Sequence, residues 1–446
     1  MRRRPILAVA VLALCSAAGH PPGLPAAVVD DDYRPVDPAE ARLGQLLFYD
    51  PILSGNRNIA CSSCHNPAFA TTDGLSLGLG EGAVGLGPAR HIIDRDRPEQ
   101  RIPRNAPALF NLGAKSMTVM FDDGRIEVDP SRPSGMRTPF DDSLVAGFHS
   151  VVAAQATFPI LSPDEMAGHN LENDVSAALR AGLITVPGGA WDILAARVAA
   201  IPAYQRQFAA LHPDIAAGRK IAFPDIANAL AAFVSLEWRS DTSPFDAYLR
   251  GQSALPPDAE AGMDLFYGPA GCSSCHSGKF QTDQKFHAMG EPQFGPGKTD
   301  RFDESARDTG RMRVTNDPAD AYAFVTPSLR NVTLTGPWGH TGAFSDLARF
   351  LQHHTHPSTG MAGYDLSNAI LPAFPQAGKG DLQILKSPAD VAAIAAAAGK
   401  QPSVDLTPEQ TAQIIAFLDS LRDPGAIHGR LGVPKSVPSG LTVDRK

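Results

Sequence analysis

Apolar residues recur at helical spacing along much of this chain, and strand-type alternation is scarce. Ile226, Leu230, Phe233 and Val234 lie on one face of the stretch 225–238, the stripe of a helix buried on one side. Ile414, Ile415, Leu418 and Leu421 mark a helix over 406–421, where Thr407 is placed to cap and Pro408 suits the first helical position. The stretch 389–398 is Ala-rich and reads as helix. Near the N-terminus Asp37 can cap, Pro38 follows, and Glu40 sits three residues after the cap. That helix runs into Gly44-Gln45-Leu46-Leu47-Phe48-Tyr49, and a second copy of the pattern stands at Gly262-Met263-Asp264-Leu265-Phe266-Tyr267. The shared Gly-x-x-Leu-Phe-Tyr predicts two helices with similar ends. Between the helices, Gly- and Pro-rich stretches over 73–107 and 281–302 predict irregular backbone. The expected fold class is mostly α, in two related domains with long irregular loops.

Length supports that division. A chain of 446 residues, 43% hydrophobic, can bury two cores. The stretch 238–257 is rich in Asp, Ser, Thr, Gly and Pro and reads as the linker. It separates an N-terminal domain over 28–245 from a C-terminal domain over 246–446. The first 27 residues read as an export signal: Arg2, Arg3 and Arg4, an apolar run over 6–14, and small residues Ala17, Ala18, Ala26 and Ala27 at which to cleave. The run is short for a membrane span, and no later stretch has enough unbroken apolar residues, so the mature protein is expected to be periplasmic. Leu precedes Cys15 in Leu-Ala-Leu-Cys, a poor fit to a lipoprotein anchor, so plain cleavage is favoured. Losing the three arginines takes the net charge from −8 to about −11. Lys and Arg are scattered, which argues against nucleic acid as a partner.

The cysteines carry the chemistry. Beyond Cys15 there are four, in Cys61-Ser62-Ser63-Cys64-His65 and Cys272-Ser273-Ser274-Cys275-His276. An isolated Cys-x-x-Cys could be a redox pair or half a zinc site. Two copies, each ending in His, behind an export signal and with no cysteine left over, fit c-type haem attachment. Each cysteine pair forms thioethers to a haem, and the adjacent His ligates its iron. The Gly-x-x-Leu-Phe-Tyr repeat precedes both motifs, which implies duplication of a cytochrome c-like haem domain. Gly-x-Gly spacing within 78–87 lacks a preceding strand and a following helix, so it is read as a flexible loop over the first haem rather than a nucleotide site.

Around these motifs the chain resembles the bacterial dihaem cytochrome c peroxidases and the related MauG-type enzymes, from about Asp37 to Asp423. The resemblance rests on Leu53-Ser54-Gly55-Asn56, Pro103-Arg104-Asn105-Ala106-Pro107, Asp123-Gly124-Arg125, and Pro327-Ser328-Leu329-Arg330-Asn331-Val332 leading to Pro337-Trp338-Gly339-His340. It implies a peroxide-reducing N-terminal haem and an electron-transfer C-terminal haem. The stretch from Ala154 to Met166 resembles the family segment bearing the distal Gln and Glu, which places Gln155 and Glu165 in those roles. Cleaving the O–O bond requires a proton moved between its oxygens, which a carboxylate can shuttle while an amide holds the peroxide. Glu165 also reads as a first-turn helix residue capped by Ser162.

The resemblance places a sixth ligand for the second haem fourteen residues after His340, usually as Met. That position is His354, with His353 and Met361 as neighbouring alternatives. Imidazole in place of thioether lowers the potential. Where the peroxidases carry a distal His, Arg97 stands close to the position, with His91 further upstream. An open first iron is expected. The family's Trp before Asp-Gly-Arg is replaced by Asp122, with Phe121 just before it. Asn105, Thr335 and the Pro337 carbonyl match the positions of an interdomain calcium site, and oxygen ligands suit that ion.

The leading function is therefore peroxide reduction, with electrons from a small cytochrome c or cupredoxin entering at the second haem. The alternatives are a MauG-like enzyme that oxidises residues of a partner protein, and a non-enzymatic dihaem electron carrier. The resemblance also implies a homodimer.

Overall fold

The computed structural model describes residues 23–93, 97–141, 144, 146–169, 171–298, 306–359, 361–374 and 380–445. The charged start, apolar run and Cys15 of the export segment lie outside the described residues. Helix makes up 39% against 6% strand, so the mostly α class holds. Among the described residues the strands form three small antiparallel ladders: Ala83–Val84 with His91–Ile92, Ile126–Val128 between Val119–Met120 and Met136–Arg137, and Phe286–His287 with Phe324–Val325.

Two crossing helix pairs organise the chain. Pro38–Phe48 packs on Phe223–Glu237, and Pro257–Tyr267 packs on Pro408–Asp419. The repeated motif explains both crossings. A Cβ at Gly44 would lie 1.8 Å from the Ala229 carbonyl oxygen, and one at Gly262 would lie 1.8 Å from that of Gln413. Only glycine lets these backbones touch. One turn later, Phe48 meets Phe233 at 5.2 Å between ring centroids, and Phe266 meets Phe417 at 5.1 Å. Phe233 lies four residues past Ala229, and Phe417 four past Gln413, so the two crossings match position by position. Tyr49 and Tyr267 join the same aromatic wedges, at 6.2 and 5.8 Å from Phe233 and Phe417. Edge and tilted contacts of this kind stabilise beyond the area they bury.

The caps follow local chemistry. Asp37 accepts from the Ala39 N–H at 2.7 Å. Thr407 and Gln410 form a reciprocal box, at 3.1 and 2.9 Å. The helix read at 225–238 begins earlier, at Phe223, because Pro224 fits a first turn. The Ala-rich segment is the helix Pro388–Ala398, capped by Ser387.

A second repeated pattern joins the halves: Pro107-Ala108-Leu109-Phe110-Asn111 and Pro327-Ser328-Leu329-Arg330-Asn331. Asn111 and Asn331 both adopt left-handed backbone, with φ of 60° and 63°, which asparagine tolerates better than most residues. The Asn111 amide oxygen accepts from the Ser240 N–H at 2.7 Å, and the Asn331 amide donates to the Ser240 hydroxyl at 3.1 Å. Ser240 thus ties equivalent points of both halves together. Beside it, Arg330 and Asp246 form a fully buried ion pair at 2.6 Å.

One large core runs from Val28 to Trp238 and a second from Phe245 to Leu421. The chain beyond Pro424 returns to the first core, where Ala426 and Val437 pack. The buried Glu237 carboxylate accepts from the N–H groups of Arg430, Leu431 and Gly432 at 2.9, 2.5 and 2.8 Å. Further along, Ser439 donates to Asp50 at 2.6 Å, and Ser63 donates to Asp444.

Candidate haem sites

None of Cys61, Cys64, Cys272 and Cys275 is in a disulfide. Cys61–Cys64 forms a single helical turn, and His65 leaves it in a non-helical conformation. The His65 Nδ1–H donates to the Thr71 carbonyl at 3.0 Å, and the Pro107 carbonyl also bonds the ring. The His276 Nδ1–H donates to the Gln281 carbonyl at 3.1 Å, with the Pro327 carbonyl in the equivalent place. A carbonyl can only accept, so in each ring Nδ1 carries the proton and Nε2 keeps its lone pair for a metal. Each orienting proline opens one of the Pro-x-Leu-x-Asn repeats. That repeat is visible in the sequence and could have located these partners, but the sequence reading did not pair the two segments.

The second site gathers His276 and His354 with ring centroids 6.1 Å apart. An imidazole nitrogen sits about 2 Å from a bound metal ion, so two rings sharing one iron stand at about this separation. His354 ends the helix Leu347–His354, which Asp346 caps at 2.9 Å. Burial and the neighbouring His276 pull the His354 ring down to about 4, which keeps it neutral with a lone pair available. His353 turns the other way, against Phe344 at 5.1 Å. Met361 is buried in a separate cluster with Ala306, Ile384 and Ile394. Of the three candidates, His354 is the one beside His276.

At the first site, Gln155 ends the helix Val151–Gln155, capped by Ser150. Ser162 caps the turn Pro163–Ala167, which is a π-type turn rather than the start of an α-helix. The N–H groups of Glu165, Met166 and Ala167 converge on the Ser162 carbonyl at 3.2, 3.1 and 2.9 Å. Two neighbouring segments hold this turn. The Glu81 N–H donates to the Asp164 carbonyl at 2.9 Å, and the Gly55 N–H donates to that of Met166 at 2.8 Å. A Cβ at Gly80 would lie 2.0 Å from the Asp164 oxygen, so this close approach needs glycine.

The Glu165 carboxylate is half-buried, and among the described residues no side chain donates to it. Its charge is felt at the half-buried Cys64 thiol, which desolvation raises to about 12, and at Lys298. Glu165 thus lies within electrostatic reach of both Cys64 and Lys298. Lys298 was missed in the sequence, because a lone lysine in a Gly/Pro loop carries no local signal. Burial and the Arg125 charge pull its amine down to about 8.

Much of the 78–87 loop, expected as a flexible cover, is buried. The buried Arg90 donates to the carbonyls of Gly85 and Gly80 at 2.8 and 2.6 Å, and also to Leu79. His91 is exposed, with Nδ1 donating to the Ala89 carbonyl at 3.0 Å, and Arg97 is exposed as well.

Between the sites lies a buried charge network. Arg104 grips Asp308 through two nitrogens at 2.6 and 2.8 Å and lies 3.0 Å from Asp123. Burial alone would raise the Asp308 carboxyl, but Arg104 outweighs it and holds that group well below the usual range. Asp122 stands 3.9 Å from Arg104. Phe121 lies under the Arg125 guanidinium at 4.3 Å and meets Phe158 edge-on at 5.9 Å. His340 stacks on Phe324 at 4.0 Å and donates from Nδ1 to Glu291 at 2.7 Å. Asp308 and Glu291 had no signal in sequence, since their partners lie far along the chain.

The residues read as calcium ligands sit in two touching loops. The Asn105 N–H bonds the His340 carbonyl at 2.8 Å, and its side-chain amide donates to Leu75 at 2.6 Å, which leaves its own oxygen as an acceptor. The Thr335 hydroxyl donates to Val332 at 3.1 Å and keeps its lone pairs, and Pro337 follows two residues later. The donor set is all oxygen, which suits calcium.

With this geometry in place, comparison with known proteins gives a consistent family. The family described as di-haem cytochrome c peroxidase matches residues 38–254. The methylamine utilization protein MauG of Methylorubrum extorquens is 31% identical over 74% of this chain and 72% of its own length. The cytochrome c551 peroxidase of Pseudomonas aeruginosa is 28% identical, over 73% of this chain and 74% of its own. Among solved structures, a MauG-like protein associated with microbial copper homeostasis aligns with a TM-score of 0.55 and 26% identity, covering 90% of this chain and 94% of its own.

Proposed function

The chain belongs to the di-haem cytochrome c peroxidase family, and on that footing we propose that it reduces hydrogen peroxide at the N-terminal haem with electrons entering through the C-terminal one. Haem, once attached at Cys61 and Cys64, supplies the iron at which the O–O bond breaks; the protein's own groups supply orientation and proton movement. His65, its Nδ1 tied to the Thr71 carbonyl, would present Nε2 to the haem iron. Gln155 offers an amide to hold the peroxide oxygens. Glu165 takes the proton from one peroxide oxygen and gives it to the departing one. Overall, one peroxide takes up two electrons and two protons and yields two waters. At the other motif Cys272 and Cys275 would attach the second haem, His276 and His354 would hold its iron, and two imidazoles would give it a low potential. Asn105, Thr335 and the Pro337 carbonyl would hold a calcium ion that ties their two loops together. The donor is a small cytochrome c or cupredoxin with a basic face that complements the acidic mature chain. Export is read from residues 2–14, and no described helix is long and apolar enough to cross a membrane.

The observation that carries this reading is the half-buried Glu165 carboxylate, on a turn held by two neighbouring segments, with no side-chain donor among the described residues and near enough to Cys64 for its charge to act there. The test is stopped-flow mixing of the ferric holoprotein with one equivalent of peroxide, with and without reduced cytochrome c. Glu165→Gln should slow the peroxide reaction by about 10²–10⁴-fold and leave both haem spectra unchanged. A near-normal rate would remove Glu165 from the mechanism. A second reading, oxidation of residues on a partner protein, is favoured by two features: position 354 is His rather than Met, and the MauG proteins are among the relatives matched. In that case the oxidised enzyme persists in the presence of reduced cytochrome c.

A further inference from the structure

Outside the haem sites, one cluster has the make-up of a metal site. Ligand atoms of Glu81, His169 and Glu172 lie within 4.8 Å of one another. Glu81 is 1% exposed. Its Oε1 accepts from Asn56 and Asn58 at 2.8 and 2.6 Å, while its Oε2 is buried with no hydrogen-bond partner among the described residues. A buried carboxylate oxygen without a donor is costly, and a cation would satisfy it. That oxygen faces His169, whose Nδ1 is 3.9 Å away. The other ring nitrogen, Nε2, is 3.1 Å from Asp164 Oδ1 and donates to it, so the neutral ring, the form that binds a metal, has its lone pair on Nδ1. A carboxylate behind an imidazole is the arrangement that orients a metal-bound histidine. Glu172 completes the group. Its Oε2 is positioned by the Asn56 amide at 2.8 Å and the His169 N–H at 2.9 Å, and the residue is exposed, so an ion can enter from that side. Gly168, with φ of 81°, leaves the space open: a Cβ there would come within 3.0 Å of Glu172 Oε2.

We propose that Glu81, His169 and Glu172 bind a divalent transition-metal ion of the Zn²⁺ class. One imidazole with two carboxylates and an open side suits such an ion better than Mg²⁺ or Ca²⁺, which favour all-oxygen shells. A second grouping, Cys275 with Asp283 and His287, is set aside because its sulfur is assigned to haem attachment. The site links two segments around the turn bearing Glu165: Asp164 accepts from the Glu81 N–H through its carbonyl and from His169 through its carboxylate. A bound ion therefore clamps that turn. Metal binding itself does not depend on the peroxidase reading.

The experiment uses the holoprotein with both haems attached, stripped with a chelator and kept in excess Ca²⁺ so that oxygen-only sites stay filled. Zn²⁺ alone is then titrated against a chromophoric competitor. Wild type should take up one ion per chain in competition and melt at a higher temperature with it. Glu81→Gln and His169→Asn should each weaken binding by about tenfold or more and abolish the melting shift. Glu172→Gln, at an exposed position, should do the same without threatening the fold. Unaltered haem spectra identify the variants that have folded. The proposal is overturned if wild type shows no saturable uptake, or if the folded variants bind Zn²⁺ as wild type does.

Discussion

At the scale of single residues, the recurring theme is a side chain held by a partner far along the chain. Glu291 is the clearest case. Burial would raise its carboxyl, but the His340 ring and N–H outweigh this and hold it at about 2, against 4.5 unperturbed. The folded pKa is therefore depressed. Its contribution is full above the unfolded value of 4.5 and is lost as pH falls through about 2. The difference amounts to about 3 kcal/mol at most. Glu291→Gln should lower stability at pH 7 and flatten its fall between pH 5 and 3, as measured by urea unfolding. Parallel wild-type and variant curves would mean that His340 does not control this carboxyl.

At the scale of elements, the repeated Gly-x-x-Leu-Phe-Tyr shows how one short pattern builds two helix crossings. Glycine sets the approach, and the following aromatics lock it. With a Cβ 1.8 Å from the facing carbonyl oxygen, Gly44→Ala must push the helices apart, and overpacking of this kind costs about 1–3 kcal/mol. The melting temperature should fall measurably, and the spectrum of the first haem should change before that of the second. Gly262→Ala should reverse that order. Equal effects on both haems would show that the two crossings do not act separately. The π-type turn Pro163–Ala167 belongs to this scale as well: one carbonyl, that of Ser162, receives three N–H groups, and so fixes where Glu165 points.

At the scale of the whole molecule, the halves are tied through Ser240 and through the returning C-terminal segment. Ending the chain after Asp423 would strip the buried Glu237 carboxylate of its three N–H donors and uncover part of the first core. An unsatisfied buried acceptor costs about 1–3 kcal/mol. Hydrogen exchange should therefore speed up in Pro38–Phe48 and Phe223–Glu237, with Pro257–Tyr267 and Pro408–Asp419 keeping their protection. Uniform loss across both halves would mean that the tail stabilises the assembly rather than one core.

What the sequence determined by itself was whatever depends on neighbours along the chain. Helical stripes, caps at Asp37 and Thr407, and the duplicated helix are local patterns, and so they were legible. The two Cys-x-x-Cys-His motifs were legible for the same reason, because haem attachment needs its groups within five consecutive residues. The resemblance further placed Gln155, Glu165 and His354 at their positions in the chain. Tertiary structure decided which groups face each other across long separations. It set His354 rather than His353 beside His276, since one residue along a helix end turns a side chain by roughly 100°. It packed the Gly-rich 78–87 loop around Arg90, whose bonds no composition rule foresees. It also gathered Glu81, His169 and Glu172 from two segments, and paired Arg104 with Asp308 across 204 residues. Such contacts are set by how the helices and loops pack, so no local stretch of sequence carries a sign of them.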